Sequence, residues 1–155
     1  MTKILFVCLG NICRSPLAEA IFKEEIQRRG LAPLFYAESC GTANYHLGDQ
    51  PDPRTIANAS KNGTSINHVG RQFEAEDFKK FDLILTMDAS NRMNLLKLPD
   101  GKNHQNKIRM MRSYDTVDRG ADVPDPYTGG ESDFQEVYDI LRRSVSSLVD
   151  SLTKA

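Results

Sequence analysis

The chain reads as an α/β protein: a parallel sheet with helices on both of its faces. Short continuous apolar runs alternate with longer segments of helical periodicity, the order that parallel strands and their crossover helices require. The runs at residues 3–8 and 83–87 lack the polar–apolar alternation of a half-exposed strand, so each must be covered on both sides. No internal repeat, low-complexity tract or linker interrupts the pattern, and one domain spanning residues 1–155 is expected.

Lys3-Ile4-Leu5-Phe6-Val7-Cys8 is the first buried strand. Ser15-Pro16 marks a helix start, with Ser15 as cap and Pro16 in the first helical position, where a missing N–H costs nothing. Ala18, Phe22 and Ile26 form one apolar line beside Leu17 and Ile21, and Gly30 ends the helix. Residues 34–39 make a second strand. Asp52-Pro53 opens another helix by the same logic, running to about Asn62-Gly63. The run at 83–87 is a third strand, followed by a helix near 90–98, and 108–111 is a weaker fourth strand. The last helix has the clearest periodicity: Phe134, Val137, Tyr138, Leu141, Val145, Leu148, Val149 and Leu152 recur at helical spacing, with Ser132 and Gln135 as a capping box. Between Arg112 and Glu131 there is no periodicity. A loop of that length inside a domain is more often functional than idle, and it holds Asp122, Asp125, Pro126, Tyr127, Gly129 and Gly130. Parallel sheets bind ligands beyond the carboxyl ends of their strands, which directs attention to Cys8, Ser39, Asp88 and the loop after Met111.

Composition narrows the function. The 155 residues are 39% hydrophobic and 26% charged, near globular averages, so neither disorder nor a fibrous protein fits. Lys and Arg total 20 against 21 Asp and Glu, which gives no net positive field for nucleic acid or an anionic membrane. No window approaches a transmembrane run and no signal-peptide pattern is present, so a cytoplasmic protein is expected. Three cysteines do not make a disulfide framework, and none has zinc-ligand spacing. Cys40 reads as a small buried hydrophobe, and neither a metal nor a cofactor is expected.

Cys8-Leu9-Gly10-Asn11-Ile12-Cys13-Arg14-Ser15-Pro16 is where chemistry concentrates. A cysteine followed six positions later by an arginine is a weak signal alone. Here the run joins a buried strand to a proline-marked helix, and Gly10 and Asn11 tolerate the backbone angles of a tight loop. Such a loop turns successive N–H groups toward one point, the helix adds its positive end, and Arg14 adds a bidentate fork: an anion cup with Cys8 at its floor. These donors favour the thiolate, which an unperturbed thiol near pKa 8.5 supplies at only about 3% at pH 7. Intrinsic nucleophilicity falls about as fast as the thiolate fraction rises, so larger gains must come from in-line placement and stabilisation of equatorial oxygens. A thiolate that also leaves readily favours phosphoryl transfer through a cysteinyl-phosphate. The leaving group needs a proton. Of the two Asp-Pro pairs, Asp52 is better explained as a helix cap, whereas Asp125 lies in the long loop, where apolar surface and a dianionic substrate would keep its carboxyl protonated. A plain Asp-Pro turn remains the alternative.

Together these residues resemble the low-molecular-weight protein tyrosine phosphatase family. The resemblance covers essentially the whole chain, through residues 7–16, Asp52-Pro53-Arg54, Met87-Asp88 with Ser90-Asn91, and Asp125-Pro126-Tyr127. It implies a Rossmann-like domain with a four-stranded parallel sheet and helices on both faces. It implies Cys8 as nucleophile, Arg14 as phosphate clamp, and Asp125 as acid and then base for water. Asn11, Ser15, Ser39 and His68 would form a polar network holding the loop, with Ser15 hydrogen-bonding the thiolate. The 9–15 loop would bind phosphate, and Leu9, Ile12, Tyr45 and Tyr127 would wall a slot for a phosphorylated phenol. The implied substrates are phosphotyrosine-containing proteins, tyrosine kinases among them, and small aryl phosphates, hydrolysed by a monomer or weak dimer. Cys13 is either a loop filler or, as in relatives, a partner that traps oxidised Cys8 as a disulfide, which would make Cys8 redox-sensitive.

Two departures bear on substrate choice. Thr128 follows Tyr127 where many relatives carry a second tyrosine, and Tyr45 stands where many carry tryptophan. Tyr45 also reads as a surface loop residue, and His68 as a structural histidine rather than a base. A thioredoxin-coupled arsenate reductase would need two further cysteines on a mobile segment, and residues 79–97 have none. A protein-arginine phosphatase resembles the family but carries Thr where this chain has Ile12. A silent phosphotyrosine-binding or redox-sensing module would have lost nucleophile, clamp or acid, and all three are present.

Overall fold

In a computed structural model describing residues 1–154, the first apolar run becomes β1 (Thr2–Cys8), which pairs in parallel with a strand on each side. That position explains its sequence. Ile4, Phe6 and Cys8 join the larger core cluster, while Leu5 and Val7 join a second one on the other face. The sheet has four parallel strands in the order β2-β1-β3-β4, with β2 at Phe35–Gly41, β3 at Leu83–Thr86 and β4 at Ile108–Met110. The expected α/β architecture is therefore present, with every strand's carboxyl end on one edge.

Helices α1 (Arg14–Arg28) and α5 (Glu131–Thr153) supply the larger core cluster through Phe22, Ile26, Leu141 and Val145. Phe22 stands between Phe6 and Phe35, with ring centroids 5.6 and 5.7 Å away. Full burial of each such ring contributes roughly 1.5–3 kcal/mol. The opposite face is closed by the short α3 (Asp77–Lys80) and by α4 (Ala89–Lys97), through Phe78 and Leu95. The four-residue α3 carries too little periodicity to be read from sequence.

Two helix starts differ from expectation. α1 is capped at Cys13, so Ser15 lies inside the first turn and its hydroxyl points into the loop before the helix. Pro16 is tolerated there because the first N–H groups of a helix have no internal partner. At the other end the Gly30 prediction holds: Gly30, at φ +73°, and Leu31 donate to the Gln27 and Ile26 carbonyls and close the helix. α5 is capped at Gly130 rather than Ser132, and the Gly130 N–H donates to Asp133 Oδ2 at 2.8 Å. Gln135 is not part of a capping box, because its Oε1 accepts from Asn58 and Asn62, each at 2.9 Å.

Asp52 caps α2 (Pro53–Lys61) as expected, accepting from the Arg54 N–H at 2.9 Å. Asp88 and Asn91 form a reciprocal capping box on α4. Among the described residues no helix is long and apolar enough to cross a membrane.

Candidate active site

β1 ends at Cys8 and α1 begins at Arg14, and the five residues between them are an irregular loop. Asn11 adopts φ 58°, the left-handed conformation that asparagine tolerates better than most residues. Its N–H thereby turns back to Cys8 Sγ at 3.3 Å. The N–H groups of Gly10, Ile12 and Cys13 have no hydrogen-bond partner among the described residues. The loop thus holds its donors open at the head of a helix. Cys8 is 2% exposed, so its sulfur sits at the bottom of the arrangement. Gly41, where β2 ends, lets the strand close on this loop: a Cβ there would lie 2.8 Å from the Leu9 carbonyl oxygen.

Behind the loop the four expected polar residues meet. Ser15 Oγ lies 3.0 Å from Cys8 Sγ. The Asn11 amide donates to Ser15 Oγ at 2.8 Å and to Ser39 Oγ at 3.1 Å. Asn11 Oδ1 accepts from the Arg71 N–H at 3.0 Å and lies 2.7 Å from His68 Nε2, which must be the donor of that pair. His68 therefore supports the loop from behind, with Glu19 Oε1 3.5 Å from its Nδ1.

Arg14 is 3% exposed and points across the mouth of β3. Its Nη1 donates to Asp88 Oδ2 at 2.7 Å and to the Val123 carbonyl at 3.0 Å, and its Nη2 is 3.6 Å from Asp125 Oδ2. Burial works against the guanidinium charge, but Cys8, Asp88 and Asp125 outweigh it and raise the Arg14 pKa. Asp88 serves twice, since its Oδ1 caps α4 while Oδ2 orients Arg14.

Asp125 reaches the site because the long loop is pinned at Val123, whose N–H donates to the Met87 carbonyl at 2.7 Å. Asp125 Oδ1 accepts from the Tyr127 N–H at 3.1 Å. The side chain is 46% exposed, its polar neighbours are Arg14 and the Tyr127 N–H, and the apolar surface expected nearby is the cleft wall it shares with Leu9, Ile12 and Tyr127. A loop residue at the sheet edge is half open to solvent, and only a bound substrate would enclose it.

Cys8, Arg14 and Asp125 share one cleft of about 360 Å³. Leu9, Ile12, Tyr45 and Tyr127 line it, together with Gly10 and Cys13. Asn11, Ser15, Ser39 and His68 stand behind it. Tyr45 and Tyr127 are exposed, as rim residues of an open slot would be. Burial pushes the Cys13 thiol up to about 12. All three cysteines are free thiols. Among the described residues no group of three or more His, Cys, Asp and Glu is placed to hold a metal ion.

The sequence reading missed His46, which lines the cleft with its Nδ1 3.1 Å from Asp49 Oδ2, and gave no role to Asp88 or Arg54. The strand-end rule points to Asp88, but its partner Arg14 lies 74 residues away and is not local to it. A lone loop histidine offers no such signal.

Residues 3–155 match a family model described as low molecular weight phosphotyrosine protein phosphatase. The chain is 43% identical over 143 residues to a Schizosaccharomyces pombe protein of that name, covering 89% of this chain and 90% of the relative. A crystal structure of a protein tyrosine phosphatase from Entamoeba histolytica superposes with a TM-score of 0.93 at 40% identity, covering 98% of this chain and 97% of that one. The YwlE arginine phosphatase, solved as a mutant with a phosphorylated active-site serine, superposes with a TM-score of 0.89 at 27% identity, covering 99% and 97%.

Proposed function

Because this chain belongs to the low molecular weight phosphotyrosine protein phosphatase family and is a protein-tyrosine phosphatase, we propose that it works through a phosphorylated Cys8, with Arg14 as clamp and Asp125 as acid and base. The observation that carries this reading is the Cys8 sulfur on the floor of a loop with open N–H groups, in one cleft with Arg14 and Asp125.

Phosphate oxygens occupy the loop donors and the Arg14 fork, which sets phosphorus in line with Sγ. The sulfur forms the S–P bond as the bond from phosphorus to the tyrosyl oxygen breaks. Asp125 gives its proton to that oxygen, so phenol leaves instead of phenolate. Water then attacks phosphorus, Asp125 takes a proton from it, and the S–P bond breaks to return the thiolate. The Ser15 hydroxyl, 3.0 Å from Sγ, stabilises the sulfur as it leaves. The loop N–H groups and Arg14 hold the equatorial oxygens through both steps. The phosphorylated serine in the related YwlE active site supports a covalent intermediate.

Phosphotyrosine-containing proteins are the substrates we assign, tyrosine kinases among them, with small aryl phosphates as surrogates. Ile12 in the wall, a β-branched hydrocarbon with no hydrogen-bonding group for a guanidinium, suits a flat phenyl ring better.

The test compares kcat/KM on a nitrophenyl phosphate and on phosphotyrosine, whose phenol has a pKa near ~10. Cys8→Ser abolishes turnover of both. Asp125→Asn spares the activated leaving group and slows phosphotyrosine by about 100-fold or more. Equal loss on both substrates would remove Asp125 from the role of acid. Faster release of phosphate from phosphoarginine than from phosphotyrosine would overturn the substrate assignment.

A further inference from the structure

We propose that Arg54 is a positioning residue that straps the Asp125 loop to the phosphate-binding loop, an inference that rests on Asp125 being the general acid. Asp52 is the lower anchor: its N–H donates to the Ile12 carbonyl at 2.8 Å, which ties the start of α2 to the anion loop. Its carboxylate takes Arg54 in a two-point grip, Nε to Oδ1 at 3.1 Å and Nη2 to Oδ2 at 3.0 Å. The same guanidinium reaches the loop that carries Asp125. Nη2 donates to the Tyr127 carbonyl at 2.8 Å, and Nη1 lies 3.4 Å from the Gly129 carbonyl. Its plane is flanked by the Phe134 ring, 4.7 Å from Cζ to centroid, and by the Tyr127 ring at 5.6 Å.

Tyr127 is the residue that matters. Its N–H holds Asp125 Oδ1 at 3.1 Å while its carbonyl is held by Arg54. The acid's immediate support is therefore fastened to the part of the molecule that carries the phosphate. Without Arg54, residues 125–130 keep the Val123 tether on one side, the Gly130 cap of α5 on the other and the Arg14 contact of Asp125 between them, and lose the Arg54 hydrogen bonds that tie Tyr127 and Gly129 to α2. The chain still folds, but the Tyr127 main chain that holds Asp125 Oδ1 is no longer fixed to the phosphate loop, and the carboxyl is placed by its Arg14 contact alone. A planar fork that meets a carboxylate, two carbonyls and two rings at once is a task for arginine and not for lysine.

A displacement of the acid is felt only where the leaving group needs a proton. Arg54→Ala should lower kcat/KM for phenyl phosphate and phosphotyrosine by on the order of tenfold, part of what general acid catalysis supplies. For nitrophenyl phosphate the loss should stay within about twofold, as should the change in the inhibition constant of inorganic phosphate. Arg54→Lys, which keeps the charge without the fork, should recover only part of the loss. Asp125→Asn is measured in the same assays. If Asp125→Asn itself shows no leaving-group dependence, the acid assignment fails. If Asp125→Asn is steep and Arg54→Ala is flat, or lowers both substrates equally, the strap is wrong. Full recovery by Arg54→Lys would assign the effect to charge alone and overturn the positioning role.

Discussion

Three cysteines within 33 residues of one another have three environments, and the chemistry follows the environment. Cys40 is fully buried and its thiol is pushed well above its ordinary pKa by desolvation; Cys13 is pushed up to about 12 by the same cause. Both stay protonated through the neutral range. Cys8 alone has a main-chain N–H and a serine hydroxyl on its sulfur. Iodoacetate should therefore label Cys8 alone in the folded protein, phosphate should protect it, and raising the pH to about 9 should not bring in Cys13. Peptide mapping checks this, and early labelling at Cys13 or Cys40 would contradict it. Asn11 carries a second prediction. Its amide ties Ser15, Ser39, His68 and Arg71 together, and its backbone is left-handed. Asn11→Ala and Asn11→Gly should both lose activity with the network, while the glycine variant is the more stable of the two by about 1 kcal/mol and melts at the higher temperature. Equal melting of the two variants would show that the backbone is not strained by alanine.

At the scale of elements, the long loop is held to α5 by Asp115. Its carboxyl accepts from Arg143 Nε at 2.6 Å, from the Val117 N–H at 3.1 Å and from Arg112 Nε at 2.9 Å. Led by the Arg143 bond, these donors hold it well below the usual carboxylate range although burial opposes them. A carboxyl depressed in the folded state adds stability above its unfolded pKa, near ~4, and that stability is lost as pH falls toward the folded value. Thermal melting from pH 7 to pH 2 should show a loss below about pH 4 that Asp115→Asn flattens. Asp115→Ala should cost about 3 kcal/mol at neutral pH, because two arginines lose their partner. An acid limb unchanged in Asp115→Asn would assign it to other carboxylates. Elements also show what the sequence makes legible. β1 and the Asp52 cap are local patterns and were read within a residue. Ser15 and Ser132 looked like caps because their neighbours fit the motif, but Ser15 is taken by Cys8 and Asn11, and Gln135 by α2, contacts that no local window contains. The strap from Arg54 to Tyr127 spans 73 residues and the Arg14–Asp88 pair spans 74, so neither role could be read from spacing.

For the whole molecule, the parallel sheet gathers the ends of β1, β2 and β3 on one edge, and there Cys8 opens into the cleft, Gly41 packs on the Leu9 carbonyl and Asp88 holds Arg14. Cys8 and Arg14 were legible because one short segment carries both. The place of Asp125 was legible only as an Asp-Pro pair in an unpatterned loop, and its exposure was not, because burial depends on how that loop lies over the sheet. An oxyanion that fills the cup should stabilise the entire fold: inorganic phosphate at about 100 times its dissociation constant should add about 2.7 kcal/mol to native chain. Arg14→Ala should lose most of that gain, and undiminished stabilisation would place the anion elsewhere. The most direct test of the whole account is rapid acid quenching during turnover of an aryl phosphate, followed by peptide mass analysis. One phosphoryl group on the peptide containing Cys8, absent from Cys8→Ala, is the predicted result. A phosphoryl group on any other residue, or a burst of phenol with no phosphorylated enzyme, would contradict it.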